Sequence, residues 1–292
     1  MRKFGWILPP AILVLLAFFL LHIPAVVGGV QSGMVTAALS VLPALFFFAV
    51  TADLTVSLTG GDLRPLSPKA SVFLLGALCG FPVGAIVCER MCASGALDRR
   101  DAERLLPFVN NASPAFLLGA VGSLFGDRRI GVLLFLSQLA AAAILCLPRR
   151  IKKQSGAANT VLPSPVDAFF GAVDRGVQSM LRVMALICLF SALLAVLRGY
   201  ISNNAVYAAL AVLLEIGNGA ARSAELLSAS PYEAVTLCAF GCGFSGMCVH
   251  MQVLSVLKSV KVRYSRFFFG KVMLGALTAF FAFCGCKFVL GY

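Results

Sequence analysis

Long apolar runs dominate the chain, and several of them are interrupted by glycine, proline or asparagine. The first covers residues 4–21, almost unbroken, behind Arg2 and Lys3. It is longer than a usual signal-peptide core and no A-x-A site follows it, so an uncleaved first transmembrane helix is expected within residues 1–29. The next run, 33–58, is long enough to cross a bilayer and carries Pro43 as a kink. After a loop at 60–68, residues 70–88 are apolar too, but GFPVGA at 80–85 breaks them. Each arm then holds about ten residues, about 15 Å of helix, which reaches halfway across a hydrocarbon core of about 30 Å. A re-entrant hairpin is expected there.

A polar stretch, SGALDRRDAERLLPF, leads into VNNASPAFLLGAVG at 109–122, broken by Asn110, Asn111, Ser113 and Pro114. Within the polar stretch, Asp101 and Glu103 beside Arg99, Arg100 and Arg104 read as a solvated helix face with pairing at i,i+3 and i,i+4. A plain span over 130–147 closes the first half. Residues 149–165, RRIKKQSGAANTVLPSP, read as a basic cytoplasmic linker. The second half keeps the same order: a helix over 166–197, a short arm at 205–215 running into EIGNGA, a polar piece at 222–232, a Gly-broken span at 238–254 and a last span at 267–290.

Setting GFPVGA against IGNGAA and FVNNASPAF against FGCGFSGMC places Phe108 opposite Phe240 and Ser113 opposite Ser245, an ordered internal repeat. Three full crossings and one hairpin per repeat make an odd number, which flips the second repeat relative to the first. The expected fold is an all-α membrane protein, a polytopic helical bundle of two inverted repeats, 30–148 and 166–292, with re-entrant helical hairpins.

Composition agrees with this class. Hydrophobic residues make up 60% of the chain and charged residues 12%, with a mean hydropathy of +0.95, against about 25% charged in soluble domains. The net charge of +12 follows the positive-inside bias and implies no nucleic-acid partner. With the N-terminus in the cytoplasm, seventeen of the 24 Lys and Arg fall on the inner side and five outside, leaving Arg182 and Lys271 within or near spans. The ten cysteines lack CxxC pairs and histidine partners, so they read as packing residues, with neither a metal nor a disulfide framework implied. No HExxH, GxSxG or Walker loop is present, and neither an enzyme nor a cofactor is expected.

Unwound backbone in a membrane is tolerated where protein buries it or a wet cavity receives it. The four breaks fit a mid-membrane substrate site built on half-helix ends, or else close packing of small residues. The site reading draws on Gly80, Pro82, Gly84, Asn110, Asn111, Ser113, Glu215, Asn218, Gly219, Gly243, Ser245 and Gly246. Glu215 follows ten nearly uninterrupted apolar residues; it marks an ion, proton or substrate route, or sits near the headgroups at a helix end. Arg182 either snorkels to the interface or turns inward as counter-ion to an anion. His250 and Gln252 act as hydrogen-bond or relay partners, or are packed neutral groups. Asp53, near the end of the second span, carries the same ambiguity.

These residues also carry a resemblance. GFPVGA at 80–85, ERLLPFVNNASPAF at 103–116, GAVG at 119–122, ExxNG at 215–219 and GFSGMCVHMQ at 243–252 resemble the YlbJ-like sporulation integral membrane proteins, also called SpoVV, within the nucleoside-recognition or Gate-domain superfamily. The likeness covers roughly residues 30–290. It implies an architecture similar to concentrative nucleoside transporters and Gate-like repeats. It also implies a multi-pass protein of the outer forespore membrane of an endospore-forming bacterium, which moves dipicolinic acid toward the forespore. The alternatives are a nucleoside or nucleobase transporter and a non-transporting sporulation scaffold. Expected partners are accordingly the lipid bilayer and a small ring compound, dipicolinate or nucleoside-like; the sequence does not specify an oligomer.

Overall fold

A computed structural model of the chain describes residues 8–146, 162–258 and 260–290. The basic part of the expected linker, with Arg149, Arg150, Lys152 and Lys153, lies outside the described residues. Among the described residues all regular structure is helical. Helix α1 (Leu8–Leu20) covers most of the expected first span, whose start is likewise outside the described residues.

Helix α2 (Ile23–Thr36) runs through a π-helical turn (Ala37–Val41) into α3 (Leu42–Thr59), one continuous apolar helix of 37 residues. Pro43 stands in the first turn of α3. A proline ring displaces the carbonyl one turn upstream and offers no N–H, and the wider π turn absorbs that mismatch. The expected kink is therefore a π turn just before the proline.

Helices α4 (Pro68–Cys79) and α5 (Val83–Ala93) fold back on each other at Gly80–Pro82, closely enough that Gly76 and Gly84 face one another. Helix α6 (Arg99–Val109) ends at the unwound stretch 110–113. A second π-helical stretch (Ala115–Val121) and the single turn α7 (Gly122–Leu124) follow, then the span α8 (Arg128–Cys146). The order then recurs. The 34-residue α9 (Pro165–Arg198) precedes a second folded-back pair, α10 (Asn204–Leu214) and α11 (Ile216–Glu225). A broken helix, α12 (Pro231–Phe244) and α13 (Gly246–Val256), and the long α14 (Tyr264–Leu290) complete the second half. Among the described residues five helical segments are long and apolar enough to cross a membrane: 23–59, 128–146, 165–198, 231–256 and 264–289.

Small residues set the packing. Gly29 and Gly33 of α2 lie against the backbone of Ala192 and Cys188 on α9, and Gly243 of α12 meets Gly275 of α14 backbone to backbone. Such contacts let helices approach where there is no hydrophobic drive between them and lipid. Exposed Leu, Val and Phe side chains cover the outside of α1, α2 and α9, as a lipid-facing surface requires.

Two charged clusters hold one end of the bundle. Asp53 on α3 is 3% exposed and accepts from Arg175 Nε and Nη2 of α9 at 2.8 and 2.6 Å. Arg90 Nε of α5 lies 3.1 Å from its other oxygen, as an ion pair out of line for a hydrogen bond, and donates through Nη2 to Ser57. Asp101 and Glu103 correct the solvated reading: both are buried. Asp101 keeps an i,i+3 ion pair with Arg104 at 3.7 Å. Glu103 accepts from the Arg263 amide and from Arg266 Nη1, both at 3.1 Å, and thereby anchors the segment before α14. The local charge pattern is the same in both readings, and only the tertiary partner decides between them.

Candidate functional site

The first tip is made by Gly80 and Phe81. Gly80 has φ +81°, a left-handed value that excludes a Cβ without strain. A Cβ there would also lie 2.8 Å from the Ser113 Cβ and 3.0 Å from Leu45, so this tip presses on the first unwound stretch and on α3. Gly84 packs its α-carbon against the Val109 carbonyl. Pro82 N-caps α5 without a side-chain bond.

In the unwound stretch, Asn111 Nδ2 donates to the Phe108 carbonyl at 2.8 Å, and Ser113 Oγ accepts from the Phe116 amide at 3.2 Å, which starts the next helix. Asn110 is 0% exposed and both atoms of its side-chain amide lack a partner, as does Asn111 Oδ1.

The second tip is made by Glu215. Its carboxylate caps α11, accepting from the Gly217 and Asn218 amides at 2.9 and 2.7 Å and from Asn218 Nδ2 at 2.7 Å. Asn218 Nδ2 also reaches Ser191 Oγ of α9 at 2.9 Å. Helix N-termini expose N–H groups and favour negative charge, so the carboxylate is held where the backbone needs it. It is buried within the protein. Gly219 lets α11 close onto Val212 of α10.

The second break stands at Ser245 and Gly246, both at positive φ (75° and 67°). Gly246 touches the second tip: a Cβ there would lie 3.2–3.3 Å from the Leu214 oxygen and the Glu215 and Ile216 nitrogens. Each tip thus packs on the break of its own half.

The two tips, the first break and α13, the helix that starts at the second break, meet at one small cavity of about 20 Å³. Phe81 comes from the first tip, Ser113 and Phe116 from the first break, Glu215, Ile216 and Gly217 from the second tip, and Val249 and Gln252 from α13. Val41 at the end of the first π turn, Leu45 of α3 and Ile187 of α9 close it. The volume suits one water. Gln252 Oε1 is buried without a partner.

Of the expected residues Ser113, Glu215 and Gln252 line this cavity and the others do not, Arg182 and His250 among them. Arg182 is exposed on α9 and does not line it. His250 is wedged between the Phe244 carbonyl, 3.0 Å from Nε2, and Tyr264 Oη, 3.3 Å from Nδ1. A carbonyl only accepts, so Nε2 carries the proton and the ring is a packed partner of α14.

Lys271 was visible in the sequence only as a charge within or near a span. It is 0% exposed. Its Nζ donates to the Asn110 carbonyl, to Ser245 Oγ at 3.0 Å and to the Gly243 carbonyl at 3.4 Å. This one side chain joins the breaks of both halves. The signal was a lone lysine amid apolar residues of the last span, where an ionisable group marks function by default.

No protein-family model matches the chain, and no solved structure matches it. Among curated proteins it is similar to the sporulation integral membrane protein YlbJ of Bacillus subtilis (strain 168), 26% identical over 253 residues. The match covers 72% of this chain and 62% of the relative, so the chain spans less than two thirds of that protein's length. This relative supports a YlbJ-like family for the chain.

Proposed function

We propose that this protein is a membrane transporter acting in endospore formation, which moves dipicolinic acid across the outer forespore membrane toward the forespore. The observation that carries the reading is the convergence of elements from both halves on one buried cavity: the first tip and first break from one, the second tip and α13 from the other. In this reading α4–α5 and α10–α11 are re-entrant hairpins in two halves of inverted topology, with the N-terminus in the cytoplasm, and alternating access rocks one half against the other. The relative's name as a sporulation integral membrane protein supports the setting.

Dipicolinate is a planar dianion. Asn110 Nδ2, buried without a partner, supplies a donor of the required kind; the amides at the start of α11 are held by Glu215 and would be open to a substrate only if that carboxylate withdrew. Ligand pockets span about 300–1,000 Å³, whereas this cavity measures about 20 Å³. The conformation is therefore closed, and the tips must part to admit a substrate.

The same small cavity favours a second reading, a scaffold whose tips are packed for good. Nucleoside transport is the third. Equilibrium binding to the purified protein separates them. Saturable binding of dipicolinate that uridine does not displace is the expected result. Nucleoside binding in its place overturns the substrate, and binding of neither ligand favours the scaffold. In cells, Asn111→Ala is expected to lower the dipicolinate content of spores when it replaces the native protein; unchanged content counts against the site.

A further inference from the structure

The geometry points to Lys271 as a tethered cation: its ammonium fills a monovalent-cation site whose oxygens come from the breaks of both halves. Asn110 is the residue at which α6 stops, and Gly243 lies in the last turn of α12, so both carbonyls belong to helix C-terminal ends. Such ends carry free carbonyls and the negative pole of the helix dipole, and a cation is the favourable neighbour. In broken-helix transporters, unwound carbonyls and half-helix C-termini coordinate the coupling ion. Here a side chain of the same polypeptide stands in that position.

The donor count agrees. An ammonium has three N–H donors and no acceptor, and Lys271 Nζ faces three oxygens. Ser245 Oγ points its own hydrogen toward the Cys242 and Gly243 carbonyls, at 3.4 and 3.5 Å, which leaves it free to accept from lysine. Among the described residues no carboxylate lies within ion-pair distance of Nζ. A substrate carboxylate finds no open donor on Lys271 while this arrangement stands, so the ammonium serves the protein's own oxygens. Asn110 adds an independent mark of a polar centre, a fully buried amide beside the lysine with neither of its atoms partnered.

The consequence is that the two breaks are held together by a charge that cannot diffuse away, and that sodium has no vacancy to fill at this position. That last step deepens the transport reading. The cation site itself does not depend on which substrate, if any, is moved.

The test is thermal unfolding of the purified full-length protein in nanodiscs, in choline, sodium or methylammonium chloride at one ionic strength. The native protein is expected to melt at the same temperature in all three. Lys271→Ala removes the cation and leaves its space, so its midpoint falls by several degrees and recovers, saturably, in methylammonium. Lys271→Met, which fills the space without a charge, falls and does not recover. Should Lys271→Ala not be recovered folded, Ser245→Ala removes one of the three oxygens, and its loss of stability should shrink when it is combined with Lys271→Met. Native stability in Lys271→Met, or full additivity of that pair, overturns the inference. So does a Lys271→Ala protein that ignores every small cation but has lost dipicolinate binding, which would make the lysine the substrate's counter-ion. Dipicolinate binding is read on the same native sample: its absence sinks the transport reading and leaves the cation result standing.

Discussion

Glu215 shows how one side chain joins local folding to the candidate site. It lines the cavity and also satisfies two backbone amides and one side-chain amide at the start of α11. Losing an N-cap costs about 0.5–2 kcal/mol, and stranding buried donors adds to that. Glu215→Ala is therefore expected to destabilise the protein by about 1–3 kcal/mol, and Glu215→Gln, which keeps one acceptor oxygen, by less. Unfolding midpoints in detergent check the ranking; equal losses would mean that the negative charge, not the acceptor, is what α11 uses. The carboxylate stood out in the sequence because apolar residues flank it. Its role did not, because the same pattern describes an ion ligand and a helix cap. Lys271 was similarly visible as a charge and opaque as a contact, since its partners stand at helix breaks 161 and 26 residues away in the chain.

At the scale of elements, the breaks were legible because they are local. Glycine at positive φ, proline and runs of small polar residues end helices wherever they occur, and the structure breaks its helices at 80–82, 110–113, 215 and 245, inside the interrupted runs. How the pieces then pack was not legible. Gly84 entered the sequence reading as part of the GFPVGA break and the candidate site, yet in the structure it and Gly76 admit the Val109 carbonyl: a Cβ would stand 2.2 Å and 1.7 Å from that oxygen. Gly84→Ala is expected to destabilise by about 1–3 kcal/mol or more, while Gly119→Ala, where nothing lies within 4 Å, should be neutral. Comparable loss of folded material from both would contradict the close approach of α5 to α6. The Asp53 clamp makes the same point across 122 residues, a separation over which no spacing rule operates. Asp53→Asn leaves Arg90 and Arg175 facing each other without a neutralising charge. Both are partly solvated, so a cost of about 1–3 kcal/mol is expected, and it should shrink in high salt.

For the whole molecule, the recurring order of a folded-back pair, a broken helix and a long helix implies an orientation that can be measured. If the halves are inverted, single cysteines replacing Asp62 and Asp127 in a cysteine-free background should react with an impermeant thiol reagent from opposite sides of the membrane. Labelling of both from one side would remove the inverted arrangement and the alternating-access scheme with it. The π turns at 37–41 and 115–121 bear on the motion such a scheme needs, for each contributes a residue to the cavity or abuts one that does, through Val41 and Phe116. A π turn holds one residue more than an α turn. Handing that surplus residue along the helix advances everything beyond it by about 1.5 Å and rotates it by about 100°, at the expense of few hydrogen bonds. In the transport reading, such a hand-over would change which side chains face the cavity without melting a helix.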